Sequence, residues 1–163
     1  MTHKFIVFIL TITVVSDALH DLYQSIILDH NKRPRNYGKP DAYTHFAAGY
    51  NPLCGDKVTV FLTLGESQIK KVCFESASCA ICKASASIMS VSLKDKSLHE
   101  AEALSAYIRK LLSTDHDLPV DLTTEGELAA FAGVRKFPAR IKCALLPWET
   151  FLNVERRTLN IGH

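Results

Sequence analysis

The stretch that decides the fold is residues 57–75, KVTVFLTLGESQIKKVCFE. Apolar side chains alternate with others from Val58 to Leu64, which is the two-residue period of a half-buried β-strand. Residues 65–67 (Gly-Glu-Ser) have the composition of a turn, and residues 68–75 resume a strand pattern. The stretch therefore predicts an antiparallel hairpin.

Further elements are predicted on both sides of this hairpin. Residues 17–31 carry apolar side chains at helical spacing, and residues 43–50 indicate a short edge strand. Four later helices are predicted: residues 79–93 with Ser78 as N-cap, a helix that begins at Ser97, residues 125–131 ended by Gly133, and residues 139–159. Strands come early and helices late, so the predicted fold class is α+β, with a small antiparallel β-sheet packed against several helices.

Length and composition indicate one ordinary globular domain. The chain has 163 residues, of which 47% are hydrophobic and 22% charged. A chain of this size buries enough surface to form a core without disulfide bonds. Lys and Arg exceed Asp and Glu by 19 to 17, a net charge of +2. This balance argues against an electrostatic nucleic-acid binder, so no nucleic-acid partner is expected.

The chain contains five cysteines: Cys54, Cys73, Cys79, Cys82 and Cys143. A disulfide framework would leave one of them unpaired, and a domain of this size does not need one. The count therefore favours a reducing, cytoplasmic compartment in which some thiols bind metal or carry out chemistry.

The N-terminus differs in character from the remainder. Residues 5–15, FIVFILTITVV, form an apolar run that resembles a short secretory signal peptide, and its β-branched residues also permit a strand. The run is too short to cross a bilayer as a helix, so stable membrane insertion is not expected. We divide the chain into an apolar N-terminal extension, residues 1–16, and a domain over residues 17–163.

Candidate chemistry is concentrated in three short segments: NPLCGD (residues 51–56), SCAIC (78–82) and IKCA (141–144). An extended backbone would point the side chains of Cys54 and Asp56 the same way. Cys79 lies at a predicted helix N-terminus, where free N–H groups favour a thiolate, and Cys143 opens the last helix. If the segments meet, three thiolates and one carboxylate complete a tetrahedral Zn²⁺ site or hold an iron–sulfur cluster. Lone cysteines are more often small buried residues, so spacing alone leaves both interpretations open.

Several stretches in the same order resemble the IscU/NifU N-terminal family of iron–sulfur assembly proteins, and most closely its SufU branch. They are LYQSIILDHNKRPRN, NPLCGD, CxxxxASASIM and KFPARIKCALLPW, and the resemblance covers about residues 19–152. It implies an α+β fold with a small antiparallel sheet. It also implies metal-ligand roles for Cys54, Asp56, Cys79 and Cys143.

Two details favour the SufU branch. Lys142 stands where the cluster-scaffold branch typically has His, and extra material over residues 110–137 is typical of SufU. The resemblance implies a zinc-dependent sulfur acceptor that takes persulfide sulfur from a SufS-type cysteine desulfurase. In that mechanism Cys54 accepts the sulfur, Asp56 retains the metal or assists the exchange, and the Arg140 cation stabilises thiolate or persulfide charge. Downstream iron–sulfur assembly proteins or client apoproteins would be further partners.

Two alternative functions remain from the sequence. The first is a scaffold that assembles and transfers a [2Fe–2S] cluster. The second is a non-catalytic domain whose zinc only holds the fold together, which predicts a closed site.

Other residues that could be mistaken for ligands have simpler interpretations. Cys82 is expected to be a buried cysteine on a helix face, and Cys73 a structural residue within a strand. His30 is expected to pack at or cap a helix end. Ser78 departs from the family's usual Gly, and Pro147 inside the last helix predicts a kink.

Overall fold

The computed structural model describes residue 18, residues 20–113 and residues 125–161. The α+β prediction is confirmed, because the chain forms a three-stranded antiparallel sheet in the order β1-β2-β3. The strands are β1 (His45–Asn51), β2 (Asp56–Leu64) and β3 (Ile69–Ala77). The hairpin of residues 57–75 supplies β2 and β3, and β1 is the predicted edge strand. The signal-like run over residues 5–15 lies outside the described residues.

The helices lie before and after the sheet in the chain. They are α1 (residues 20–32), α2 (Ala80–Leu93), α3 (Leu98–Leu111), a 3₁₀ turn (Gly126–Ala129), α4 (Ala130–Val134) and α5 (Pro138–Ile161). Helix α5 packs against β1 and β2, and α2 packs against β3 and α5. None of the helices in the described part of the chain combines the length and apolar character needed to cross a membrane.

The alternation in β2 determines the core. Val58, Val60 and Leu62 are buried on the helix-covered face of the sheet, and the large core side chains of the helices include Trp148 and Phe151. Full burial of each such side chain stabilises the folded state by about 1.5–3 kcal/mol. The site-bearing ends of β2, α2 and α5 are thus attached to one continuous core.

Two predicted helix starts have different outcomes. Helix α3 begins as expected after Ser97, whose hydroxyl accepts from the Glu100 N–H in a capping box. The prediction of Ser78 as N-cap of α2 is wrong, because the N-cap is Cys79 and it makes no side-chain cap bond. The Ser78 hydroxyl instead donates to the Cys79 carbonyl over 3.3 Å.

Gly133 does not end a helix, which corrects a second prediction. Helix α4 continues through Gly133 to Val134. A Cβ atom at Gly133 would lie 2.5 Å from Cγ of Tyr23. The glycine is therefore explained by the close approach of α1 rather than by helix termination.

Candidate metal centre

The segment NPLCGD is the loop of the β1–β2 hairpin. Asn51 and Asp56 pair across the two strands, so residues 52–55 form the connection. Gly55 has φ +75°, a left-handed conformation that favours glycine, and its N–H donates to the Asn51 carbonyl over 2.8 Å. The side chain of Asn51 accepts from the Leu53 N–H over 3.1 Å. The backbone between Cys54 and Asp56 is thus a turn rather than the extended chain expected from sequence.

The loop exposes one candidate ligand and buries the other. Cys54 is exposed, and its neighbour Leu53 is 76% exposed. Asp56, the first residue of β2, is only 2% exposed. A molecule in solution therefore meets Cys54 before it meets the carboxylate.

Asp56 connects this loop to the start of α2. Its Oδ1 accepts from the Cys79 N–H over 2.8 Å, and its Oδ2 accepts from the Cys79 thiol over 3.4 Å. A carboxylate at the N-terminus of a helix is stabilised by the unpaired N–H groups there. The half-buried Cys79 is held against Asp56 by both its backbone and its side chain.

Cys143 completes the cluster from the other side. It lies within α5 and is 1% exposed, and its Sγ is 3.5 Å from Sγ of Cys54. One ligand atom each from Cys54, Asp56 and Cys143 lie within 4.8 Å of one another. Cys79 does not belong to this group of three, but its contact with Asp56 places it beside them, so the four residues named from the sequence are neighbours.

The spacing of these atoms fits a metal ion. Zinc binds thiolate sulfur at about 2.3 Å, so two sulfurs of a tetrahedral site lie about 3.8 Å apart. The Cys54–Cys143 separation is 3.5 Å, and Sγ of Cys79 lies 3.4 Å from Oδ2 of Asp56. Three thiols and one carboxylate form a donor set that suits zinc and also iron. The residues present therefore fit the zinc or iron–sulfur site that the sequence implies.

Burial and hydrogen bonding shift the pKa values within the cluster. Burial alone would raise the pKa of Asp56, but hydrogen bonds from the Cys54 thiol and the Cys79 N–H outweigh it, so this pKa lies below its ordinary value. Burial raises the pKa of the Cys143 thiol, and the neighbouring Cys54 and Asp56 raise it further. A bound cation reverses this effect on a thiol, because it stabilises the thiolate.

Arg140 borders a groove on the Cys79 side of the cluster. The groove has a volume of about 610 Å³, and its lining includes Tyr23, Phe137, Cys79 and Arg140. Burial raises the pKa of Tyr23, whereas the charge of Arg140 opposes the rise. Arg140 is exposed at this groove, which reaches the cluster through Cys79. Neither Tyr23 nor Phe137 is recognisable from the sequence as a residue of this groove, because both look like ordinary helix and loop residues.

The remaining thiols and His30 lie outside the cluster. Cys73 and Cys82 are buried, and burial raises the pKa of both, that of Cys82 to about 12. Nδ1 of the buried His30 lies 2.7 Å from the Ser87 hydroxyl, and Nε2 lies 3.0 Å from a carboxylate oxygen of Glu127. The burial of the two thiols and the contacts of His30 agree with packing roles for all three residues.

Comparison with known proteins shows one family over most of the chain. The family described as NifU-like N terminal domain matches residues 22–144. An iron–sulfur cluster assembly scaffold protein IscU of Streptococcus pyogenes serotype M1 is 33% identical over 145 residues, which cover 89% of each chain. The zinc-dependent sulfurtransferase SufU of Bacillus subtilis is 36% identical over 132 residues, which cover 80% of this chain and 87% of the relative.

Solved structures agree with the sequence comparison. A proposed iron–sulfur cluster assembly scaffold protein of the SUF system from Fervidobacterium islandicum superposes with a TM-score of 0.68 at 31% identity, covering 83% of this chain and 97% of that one. The N-terminal part of a NifU-like protein from Brucella abortus gives a TM-score of 0.73 at 23% identity, covering 84% and 94%. The second match establishes similarity of fold alone.

Proposed function

The chain belongs to the family of NifU-like N-terminal domains, and from this membership we propose that it serves iron–sulfur cluster assembly as a zinc-dependent sulfur acceptor. Its sulfur donor is the persulfide of a SufS-type cysteine desulfurase. The relative from Bacillus subtilis named a zinc-dependent sulfurtransferase supports this choice.

The observation that carries the proposal is the unequal exposure of the thiols. Cys54 is exposed, Cys79 is half-buried, and Cys73, Cys82 and Cys143 are buried. The exposed thiol lies on a hairpin loop, 3.5 Å from the buried sulfur of Cys143. Cys54 is thus the most exposed thiol of the cluster, which is the arrangement that sulfur acceptance from a partner protein needs.

Cys54, Asp56, Cys79 and Cys143 would hold the zinc. Bound zinc keeps coordinating thiols deprotonated at neutral pH. Asp56 holds the start of α2 through the Cys79 N–H, so the buried side of the site stays ordered while the loop of Cys54 changes position.

In the transfer step, the Cys54 thiolate attacks the outer sulfur of the desulfurase persulfide. A new S–S bond forms on Cys54, the S–S bond of the desulfurase breaks, and its electron pair remains on the desulfurase cysteine as a thiolate. The guanidinium of Arg140 supplies positive charge at the adjacent groove for anionic sulfur.

A second candidate function is a scaffold that assembles a [2Fe–2S] cluster as cargo on the same donors. The relative from Streptococcus pyogenes, named a scaffold protein, favours this candidate. A purely structural zinc site is disfavoured, because structural sites are closed and Cys54 is exposed.

Metal analysis of protein purified without added metal separates the two candidates. We expect a colourless protein with stoichiometric zinc. A brown protein that contains iron and sulfide would contradict sulfur acceptance and support the scaffold.

Persulfide mapping tests the acceptor thiol. The protein is incubated with a SufS-type desulfurase and cysteine, and persulfides are then located by mass spectrometry. Persulfide sulfur is expected on Cys54 in the wild type and in the control variant Cys73→Ala. The variant Cys54→Ser is expected to carry no persulfide. Sulfur on Cys82 or Cys143 in the wild type that persists in Cys54→Ser would overturn the assignment.

A further inference from the structure

A single buried hydroxyl joins the two helices that carry Cys79 and Cys143. Ser85 lies in α2, six positions after Cys79, and has no exposed surface. Its Oγ donates to the Ala144 carbonyl over 2.6 Å and accepts from Nε1 of Trp148 over 3.1 Å. Both partners lie in α5, and Ala144 directly follows Cys143.

The bond falls next to a missing backbone hydrogen bond of α5. Pro147 has no N–H, so the Cys143 carbonyl lacks the donor that an α-helix normally supplies four residues later. Beyond Pro147, α5 lies directly on the sheet. It approaches β1 so closely that a Cβ atom at Gly49 would clash with the side chain of Thr150. Before Pro147, the hydroxyl of Ser85 anchors the turn that contains Cys143.

We propose that Ser85 is a positioning residue for the metal centre, which fixes Cys143 relative to Cys79 and Cys54 through its bond to Ala144. The inference rests on the metal site of the proposed function. Without the hydroxyl, the turn that contains Cys143 loses its hydrogen bond to α2, and the sulfur separations are held less tightly, by side-chain packing alone.

The sequence contains no signal for this role. Ser85 lies in the run ASAS, and its neighbour Ser87 has the same residue type and the same complete burial. The hydroxyl of Ser87 instead meets His30 and accepts from the Arg35 N–H over 2.8 Å. Only the packing of α2 on α5 distinguishes the two serines.

Two variants separate positioning from general stability. Ser85→Ala removes both hydrogen bonds, whereas Trp148→Phe removes the indole donor and retains the bond from Ser85 to Ala144. Both are expected to lower the melting temperature. In zinc competition against a chelator, Ser85→Ala is expected to bind at least tenfold more weakly than wild type, and Trp148→Phe within about twofold. Equal affinities of the two variants would overturn the proposal.

A double variant covers the case in which Ser85→Ala does not fold. Ser85→Ala/Trp148→Phe removes the hydroxyl without leaving a buried indole N–H unsatisfied, which is the more costly defect. It is expected to show the same tenfold loss of zinc affinity as Ser85→Ala. Affinity equal to that of Trp148→Phe alone would contradict the role of Ser85.

A measurement without metal separates this proposal from the proposed function. Diamide, a thiol oxidant, is added to the zinc-free protein, and the Cys54–Cys143 disulfide is quantified by peptide mass spectrometry. The disulfide is expected to form at least threefold more slowly in the Ser85 variants than in Trp148→Phe. Equal rates would overturn the positioning role. A wild type that binds no zinc would instead refute the proposed function, and the disulfide rates would still decide the role of Ser85.

Discussion

The backbone N–H of Cys79 donates to the carboxylate of Asp56 over 2.8 Å, although the two residues are 23 positions apart in the sequence. This bond connects the first residue of β2 to the N-cap of α2. The Asp56 carboxylate thus holds the start of α2 and is also a candidate metal ligand beside the thiols. These two roles can be separated by substitution.

Asp56→Asn retains an oxygen acceptor for the Cys79 N–H but removes the negative charge, whereas Asp56→Ala removes both. We expect both variants to bind zinc at least tenfold more weakly in a chelator competition. In the zinc-free protein, the free energy of unfolding of Asp56→Ala is expected to be about 1–3 kcal/mol lower than that of Asp56→Asn, because the Cys79 N–H loses its partner. Equal urea midpoints for the two variants would show that this bond contributes nothing.

The lowered pKa of Asp56 predicts a pH dependence of stability. The hydrogen bonds to Asp56 favour its ionised form in the folded state, so its contribution is complete above the unfolded pKa of about 3.9 and is lost as the pH falls through the lower folded value. Urea unfolding of the zinc-free protein at a series of pH values should show a steeper loss below about pH 4 in wild type than in Asp56→Asn. Parallel curves would contradict the lowered pKa.

The thiols should differ strongly in alkylation. Burial raises the pKa of Cys82 to about 12, so only about one molecule in ten thousand carries a Cys82 thiolate at pH 8. With iodoacetamide and zinc-free protein, Cys54 is expected to react first and Cys82 only after unfolding. Peptide mapping over time measures both, and Cys54→Ser should remove the fast phase alone. Early labelling of Cys82 would contradict its burial.

Gly133→Ala should destabilise the protein through its contact with Tyr23. The added Cβ would lie 2.5 Å from the ring, and overpacking of this kind typically costs about 1–3 kcal/mol in the free energy of unfolding. In a Tyr23→Ala background the same substitution is expected to cost less than half as much. A cost that is unchanged in that background would show that α1 does not require the glycine.

We propose that residues 1–16 are an extension outside the domain, in keeping with a family match that begins at residue 22. Their deletion should leave the zinc content unchanged and the melting temperature within about 2 °C, since 1 kcal/mol shifts a domain of this size by about 2–4 °C. Calorimetry of the two forms measures the difference. A larger fall in melting temperature would place the segment in the core.

The fold was predictable where a pattern repeats. Val58, Val60 and Leu62 alternate in the sequence and are buried on one face, and Ser97 with Glu100 determines the start of α3. The choice between Ser78 and Cys79 as N-cap was not predictable, because both residues precede the same apolar run. The hydrogen bond that the Cys79 N–H donates to Asp56 favours Cys79 as the N-cap, and this bond forms only when the hairpin is in place.

Contacts between distant segments explain the other differences. The local preference of glycine for helix ends predicts a stop at Gly133, whereas the residue is explained by its contact with Tyr23, more than a hundred positions earlier. The four ligand candidates were identified by residue type and family resemblance. Ser85 was not identified, because a buried hydroxyl between two helices has no periodic signature.

The exposure of Leu53 determines what approaching Cys54 involves. Leu53 is 76% exposed and directly precedes Cys54 in the hairpin loop. A small thiol reagent can reach the sulfur and leave this isobutyl group in water. A protein that delivers sulfur to Cys54, as proposed above, would cover the loop, and full burial of a leucine side chain contributes about 1.5–3 kcal/mol to such binding. In the proposed sulfur transfer, recognition and reactivity would occupy adjacent positions of one loop, and desolvation of Leu53 would give a macromolecular donor an advantage over free thiols in the surrounding solution.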